Sequence, residues 1–487
     1  MFNIKKILLR NPGSPIFWLM LGLIFKGIIP FIWLVHGKIV NEFPGFWGGT
    51  GGDASSYINP IDHWLTYGTY LPDFRMPGYG LIYLIFRIPF SSAVACNLMI
   101  ILQYLLASVS VYILALMARN IFKNDRIFYV CFYLYLISNF SNFFDGFIQT
   151  ESLCTSFLIL SVYYLTKYFN SKKNLQLIIS SILLGWSVFM RPGFSLLLPI
   201  FALSILFQIK NEIIKNLKYS ILFLIPFLIF DSIWTVRNYM KFKKIIPLAY
   251  IGNYPNIAKS YLQPMFYFTQ CWCGAYSFND QPADLEWFEY TYPGRIKPAH
   301  IDSLPDNIYT SAYNKDSLLH LKKLILALQN PSIDSLTADR YQTELIAKFT
   351  SYHESFQKEK PFVYYVKAPL RSTGILLYGA YTKNYLNRGQ TLGILNAPLR
   401  ILATALYLGV LALGLFGAIL LLIRGFKKNA LFVLIGMIPL YTIIVHAMIL
   451  RVPDNRFLMP GYPFLIMSAS YLLQAIYSRN FPANLKV

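Results

Sequence analysis

Ten apolar runs, at residues 16–36, 92–118, 127–141, 150–169, 175–190, 194–209, 219–236, 398–423, 430–450 and 459–478, govern what this chain can fold into. Inside a bilayer no water reaches backbone N–H and C=O groups, so a crossing segment is either a helix of about 20 apolar residues or a strand of a closed barrel. Barrel strands alternate apolar and polar positions, whereas these runs are continuous. The pattern predicts an all-α polytopic membrane protein with about ten transmembrane helices. Three runs (127–141, 175–190 and 194–209) are short, and 78–90 and 361–381 lie at the interface or dip into the membrane, which extends the range to 13.

Charge is the second constraint. Lys and Arg number 43 against 22 Asp and Glu, a net charge of +21, yet only 13% of residues are charged and 56% are apolar. A nucleic-acid binder with that excess is rich in charge throughout. The basic residues instead form groups at Lys5, Lys6 and Arg10; Arg119, Lys123 and Arg126; Lys167, Lys172 and Lys173; Lys210, Lys215 and Lys218; and Arg424, Lys427 and Lys428, with Arg479 and Lys486 at the end. Every second connection carries a group, so the positive-inside bias predicts that all of them, and both termini, face the cytoplasm. No A-x-A-like cleavage site follows the first run, which reads as a retained signal-anchor.

The chain therefore divides into an N-terminal membrane module at 1–236 with a first outer loop at 37–77, an extracytoplasmic domain at 237–397, and C-terminal transmembrane helices at 398–487. The middle segment is too long for an ordinary connection. Within it Leu318, Leu319, Leu321, Leu324, Ile325 and Leu328 recur at helical spacing, and Ser335–Phe356 continues that character after Asn330-Pro331.

Charges on the outer face or inside spans are costly exceptions. Asp53 follows a Gly-rich approach and either acts as a general base or caps the helix beginning at Ala54. Arg75 precedes Met76-Pro77-Gly78 and has the fork geometry that clamps phosphate. Asp145 lies in the second outer turn and Glu151 at the mouth of the fourth span, where it is either functional or a complement to the helix N-terminus. Arg191 is a site residue or a snorkelling surface Arg. Asp231 and Arg237 are site residues or a structural pair, and Arg451, Asp454 and Arg456 form either an anion site or a salt bridge. His446 is a phosphate contact or a packing residue. The remaining His residues are scattered, and HExxH and CxxC spacings are absent, so no metal is expected. Cys271 and Cys273 are too close for an unstrained disulfide, which leaves free or externally paired thiols.

One or two carboxylates among several Arg suit transfer from a phosphorylated donor: a carboxylate takes the acceptor proton while Arg stabilises the leaving phosphate. On the outer face, away from cytoplasmic nucleotides, such a donor must be carried on a lipid.

Several motifs then carry a resemblance: Asp53 with Ser56-Tyr57; Tyr67-Gly68-Thr69-Tyr70; Arg75-Met76-Pro77-Gly78-Tyr79; Thr150-Glu151; Arg191-Pro192; Thr235-Val236-Arg237-Asn238-Tyr239 running to Gly252-Asn253; and Asp454, Arg456, Phe457 and Pro460. Their order over 1–260 and 398–478 resembles the GT-C glycosyltransferases, bacterial relatives of protein O-mannosyltransferases and of the aminoarabinose transferase that modifies lipid A. The resemblance implies an inverting enzyme of the bacterial inner membrane that uses a polyprenyl-phosphate sugar without a cofactor. Asp53 is then the base, with Glu151 or Asp145 as the second acidic position. Arg75, Arg191, Arg237 and Arg456 become phosphate contacts, and Tyr57, Asn238, His446 and Arg451 line the substrate site. The acceptor is an envelope glycan, lipid or protein. Asp53-Ala54 replaces the Asp-Glu pair of the mannosyltransferases, which sets mannose and a protein acceptor in question. Two other readings are a polysaccharide polymerase or ligase of the envelope and, in another class, a transporter or lipid flippase, for which no inverted repeat or broken helix is evident.

Overall fold

The computed structural model describes residues 10–35, 46, 48–49, 53–71, 75–208, 212–248, 261–273, 288, 308–330, 332–378, 396–452 and 454–480. The sequence readings at Lys5, Lys6, Lys210, Gly252-Asn253 and Lys486 lie outside them. The described residues are helical, with two isolated β-bridges and no strand. The chain forms two compact units: Met1–Ala249 with Ala380–Thr442 and Leu458–Val487, and Tyr250–Gly379 with Ile443–Phe457.

The first unit holds α1 (Pro15–Val35), α2 (Ala54–Tyr67), α3 (Gly78–Arg87), α4 (Ser92–Phe122), α5 (Asp125–Leu136), α6 (Asn139–Asp145), α7 (Thr150–Ser171), α8 (Asn174–Met190), α9 (Leu197–Leu206) and α10 (Ile213–Phe242). Among the described residues four stretches are long and apolar enough to cross a membrane: Ser92–Phe122, Ile213–Phe242, Ala397–Phe426 and Ala430–Ile449. A fifth is obtained if α5 and α6, bent by 57° at their junction, are one broken span. Asn174–Met190 and Pro192–Leu206 are apolar but shorter. The unbroken apolar run 127–141 predicts one straight helix; the chain breaks there because Ser138 starts a new one, its side chain accepting from Ser141 N.

Aromatic packing fastens α1 to α5. The buried Trp18 ring meets Phe128 and Phe132 at 5.1 and 4.7 Å between centroids, in edge-on geometry. The C-terminal pair of this unit, α15 (Asn396–Lys428) and α17 (Tyr462–Asn480), touches backbone to backbone. A Cβ on Gly417 would collide with the Ser468 carbonyl oxygen, and one on Gly414 would lie 2.7 Å from Leu465 O. Small residues permit this approach, a common device where lipid supplies no hydrophobic drive between helices.

The second unit packs α11 (Leu262–Cys273), α12 (Lys315–Leu328), α13 (Ser335–Glu359) and α14 (Ala368–Tyr378). The Leu318, Leu321, Leu324 and Ile325 stripe faces its core, meeting Leu345, Phe349, Tyr352 and Phe356 of α13. Phe268 joins this core, 5.3 Å from Tyr313 and 5.7 Å from Phe349. Both long helices are capped: Asn314 and Ser317 form a reciprocal box, and Asp334 accepts from Thr337 N. Cys271 is free and wholly buried here; its Sγ is 3.1 Å from Tyr267 O, and burial pushes the thiol up to about 12. External pairing of that thiol is thereby closed off. The helix α16 (Ala430–Ile443) runs in the first unit as far as Thr442; the second unit takes Ile443 and the π-helical turn that follows at Ile444–Ile449.

Two expectations follow. Gly417→Ala destabilises the purified protein by about 1–3 kcal/mol through overpacking, read as earlier thermal unfolding in detergent. Glu359 accepts from Ser311 Oγ and N and from Ser355 Oγ, which hold its carboxyl below the ordinary value. Its contribution is complete above the unfolded carboxyl's pKa and is lost as pH falls through the folded one. Glu359→Gln therefore flattens the acid limb of the stability profile of the full chain.

Candidate functional site

The site grows from a seated loop. Gly49 N donates to Gly146 O at 2.8 Å, and Ile148 N donates to Gly49 O at 3.0 Å, so the first loop lies against the α6–α7 turn. A Cβ at Gly49 would stand 2.7 Å from the Phe147 ring, which is why glycine occupies it. Gln103 of α4 locks the arrangement from below. Its Nε2 donates to Asp145 O and Phe147 O at 2.9 and 2.8 Å, and its Oε1 accepts from Tyr79 OH at 3.0 Å. A neutral amide within an apolar run is the signal that marks it; sequence reasoning passed over it.

Asp53 stands at the start of α2, but its side chain makes no capping hydrogen bond. It pairs with Arg75, Oδ1 to Nη2 at 2.9 Å, both side chains between a quarter and a third exposed. The capping alternative is thus set aside. Arg75 Nε donates to Ser56 Oγ at 2.9 Å, and its guanidinium lies 4.6 Å from the Tyr57 ring centroid. Tyr57 in turn lies 5.6 Å from Tyr79. The turn after Arg75 rests on the end of α8: Trp186 Nε1 donates to Gly78 O at 3.1 Å, and a Cβ on Gly78 would be 2.7 Å from Phe189 C. That end of α8 presents Arg191, whose Nη1 is 2.6 Å from Glu151 Oε1. Asp53, Arg75, Tyr57, Glu151 and Arg191 are therefore brought to one end of the first unit.

Arg237 reaches the same loop. Its Nη2 donates to Tyr70 O at 3.5 Å and its Nη1 to Asn238 Oδ1 at 3.0 Å, over the Trp234 ring at 4.7 Å; Tyr70 OH donates to Arg75 O at 3.4 Å. Asp231 does not pair with Arg237: its Oδ1 accepts from Leu248 N, while Asn238 Nδ2 donates to Ile246 O. Leu248 has a positive φ of 55°, a strained backbone held by Asp231 and by Trp234 Nε1 on its carbonyl.

Asp145 is committed elsewhere. Its Oδ2 is 2.6 Å from Lys26 Nζ and its Oδ1 accepts from Ser152 Oγ at 2.6 Å; Lys26 also donates to Asn142 Oδ1 at 2.8 Å. Both side chains of the ion pair are 1% exposed. Lys26 is the sole formal charge in the run 16–36, and an ionisable residue in a span was the signal available for it.

The last candidates belong to the second unit. Arg456 Nε is 2.8 Å from Asp454 Oδ2, the salt-bridge alternative. Arg451, at a φ of 51°, donates to Gln270 O and Tyr364 O at 3.2 and 2.7 Å and stacks on Tyr364 at 4.2 Å. The buried His446 ring stacks on Phe457, centroids 4.7 Å apart and nearly parallel. Among the described residues no group of three His, Cys, Asp or Glu could hold a metal ion. No protein-family model matches this chain, and no curated protein matches its sequence.

What this geometry can do chemically is uneven. Asp145 and Glu151 are enclosed with cations, whereas Asp53 meets solvent beside a guanidinium and an aromatic face. The Lys26–Asp145 pair can be tested as a structural element. Lys26→Met or Asp145→Leu alone leaves a buried group uncompensated and costs about 3–5 kcal/mol, while the combined Lys26→Met and Asp145→Leu recovers most of that loss. Thermal unfolding of the four proteins in one detergent reads the cycle.

Proposed function

We propose that the chain is an integral-membrane glycosyltransferase that takes a sugar from a polyprenyl phosphate on the outer leaflet and passes it, with inversion, to an envelope glycan, lipid or protein. The observation that carries the reading is the partly exposed Asp53–Arg75 pair with Tyr57 stacked beneath it. Asp53 is a carboxylate that a substrate can reach. In this scheme Asp53 takes the proton of the acceptor hydroxyl, whose oxygen bonds to the anomeric carbon as the bond from that carbon to the phosphate oxygen breaks. The phosphate leaves with the electron pair, its charge met by Arg75, Arg191 or Arg237. Glu151 orients Arg191, and Asp145 positions the turn on which the loop sits. The reading includes about ten spans in a bacterial inner membrane, both termini cytoplasmic, and an extracytoplasmic domain at 237–397.

Asp53→Asn lowers transfer from a radiolabelled polyprenyl-phosphate sugar by about 100- to 10,000-fold while the protein still inserts and keeps its helix content. Undiminished transfer refutes the assignment. Transfer only from a pyrophosphate-linked glycan assigns the chain to the polymerases or ligases.

One feature favours a second reading, a transporter or flippase: the Lys26–Asp145 pair lies at the end of a helix pair broken by 57°. Transporters place ionisable groups at broken helices. Substrate uptake into proteoliposomes that Asp145→Asn abolishes and Asp53→Asn leaves intact supports it over the enzyme.

A further inference from the structure

At the end of the first unit that carries the basic loops, α4, α5, α15 and α17 border an open cavity of about 310 Å³. That volume is at the low end of small-ligand sites. Phe122, Asn124, Arg424, Tyr471 and Gln474 line it. The Tyr471 ring is wedged between Phe122 and Phe432, at centroid distances of 4.6 and 5.8 Å, and so has a fixed place. Its hydroxyl accepts from Arg424 Nη1 at 2.5 Å, and the guanidinium lies 5.6 Å from the ring centroid. Tyrosine thus aims the arginine.

The polar groups that line this cavity are suited to an anion. Arg424 has no carboxylate partner among the described residues. Asp125, which opens α5 beside the cavity, is taken by Arg119 at 2.5 Å. Asn124 caps α5, its side chain accepting from Arg126 N, so the positive end of that helix adjoins the lining. Arg126 is turned to the Tyr477 ring at 5.0 Å, which adds positive charge without contributing an acid. Gln474, one turn from Tyr471 on α17, contributes an amide. Basic pockets between membrane helices on the positively biased side are the sites that take phosphorylated headgroups.

We infer that this cavity binds a phosphate-bearing anion, presented by an anionic phospholipid headgroup or free in solution. Arg424 supplies the charge-assisted hydrogen bond, and Gln474 and Asn124 supply amide contacts. The cavity shares no residue with the Asp53 site, so the inference stands apart from the transferase reading.

Native mass spectrometry of the full chain, released from detergent with phosphatidylglycerol or zwitterionic phosphatidylcholine, tests it. Phosphatidylglycerol is retained in preference to phosphatidylcholine, and Arg424→Gln lowers its apparent affinity about tenfold, the loss of one charge-assisted hydrogen bond. Inorganic phosphate is the second probe: a rise in melting temperature seen in the wild-type protein and lost in Arg424→Gln assigns the site to the free anion. Retention of phosphatidylglycerol without that rise assigns it to lipid. Equal retention of the two lipids with no phosphate effect overturns the inference, as does Arg424→Gln that behaves as wild type with both probes. Should Arg424→Gln not fold, Gln474→Leu replaces it, and unchanged binding of both probes in that variant overturns the inference equally.

Discussion

An ammonium and a carboxylate 2.6 Å apart and shielded from solvent join α1 to the end of α6. Removing two charges from water is expensive, and attraction in a poorly polarisable interior repays it only if the remaining donors and lone pairs are also met. Here they are met by Asn142 of α6 and Ser152 of α7, on either side of one turn. The neighbouring backbone then serves as a platform: Asp145 and Phe147 carbonyls receive Gln103, and Gly146 and Ile148 receive Gly49. A loop that carries the reachable carboxylate thus depends on an ion pair it does not touch.

The same economy governs the other acids of this region. Glu151 is enclosed with Arg191, and Asp231 holds a strained backbone N–H, so each interior carboxylate has a cation or a donor. Asp53 differs because its partner leaves it in contact with solvent. In an apolar bundle that difference separates a group able to meet a substrate from groups that fix geometry.

Much of the helical layout was legible in the sequence. Apolar length predicts helices at 92–118, 150–169 and 175–190, and α4, α7 and α8 cover them; the leucine stripe predicts α12, where Leu318, Leu321, Leu324 and Ile325 are core, Leu328 is partly buried against it and Leu319 is exposed. The break between α5 and α6 was not legible, because a single Ser138 in an apolar run carries little periodic signal and acts through its hydroxyl. Within the candidate site, residue types could be read but partners could not. Asp53 with Arg75, Glu151 with Arg191 and Lys26 with Asp145 are contacts between segments, and no spacing rule links them. Gln103 carries a weaker signal, a polar amide in an apolar run with no charge, and its partners on the α6–α7 turn could not be read from spacing.

The bridge between Gly49 and the Gly146–Ile148 turn has a consequence for biogenesis. Gly49 belongs to the loop after α1, yet its seat is built from the turn between α6 and α7. During synthesis the loop therefore emerges well before anything exists to hold it. The Asp53 segment takes its final form only after α6 and the beginning of α7 have been made and folded together, so it completes late although it is translated early.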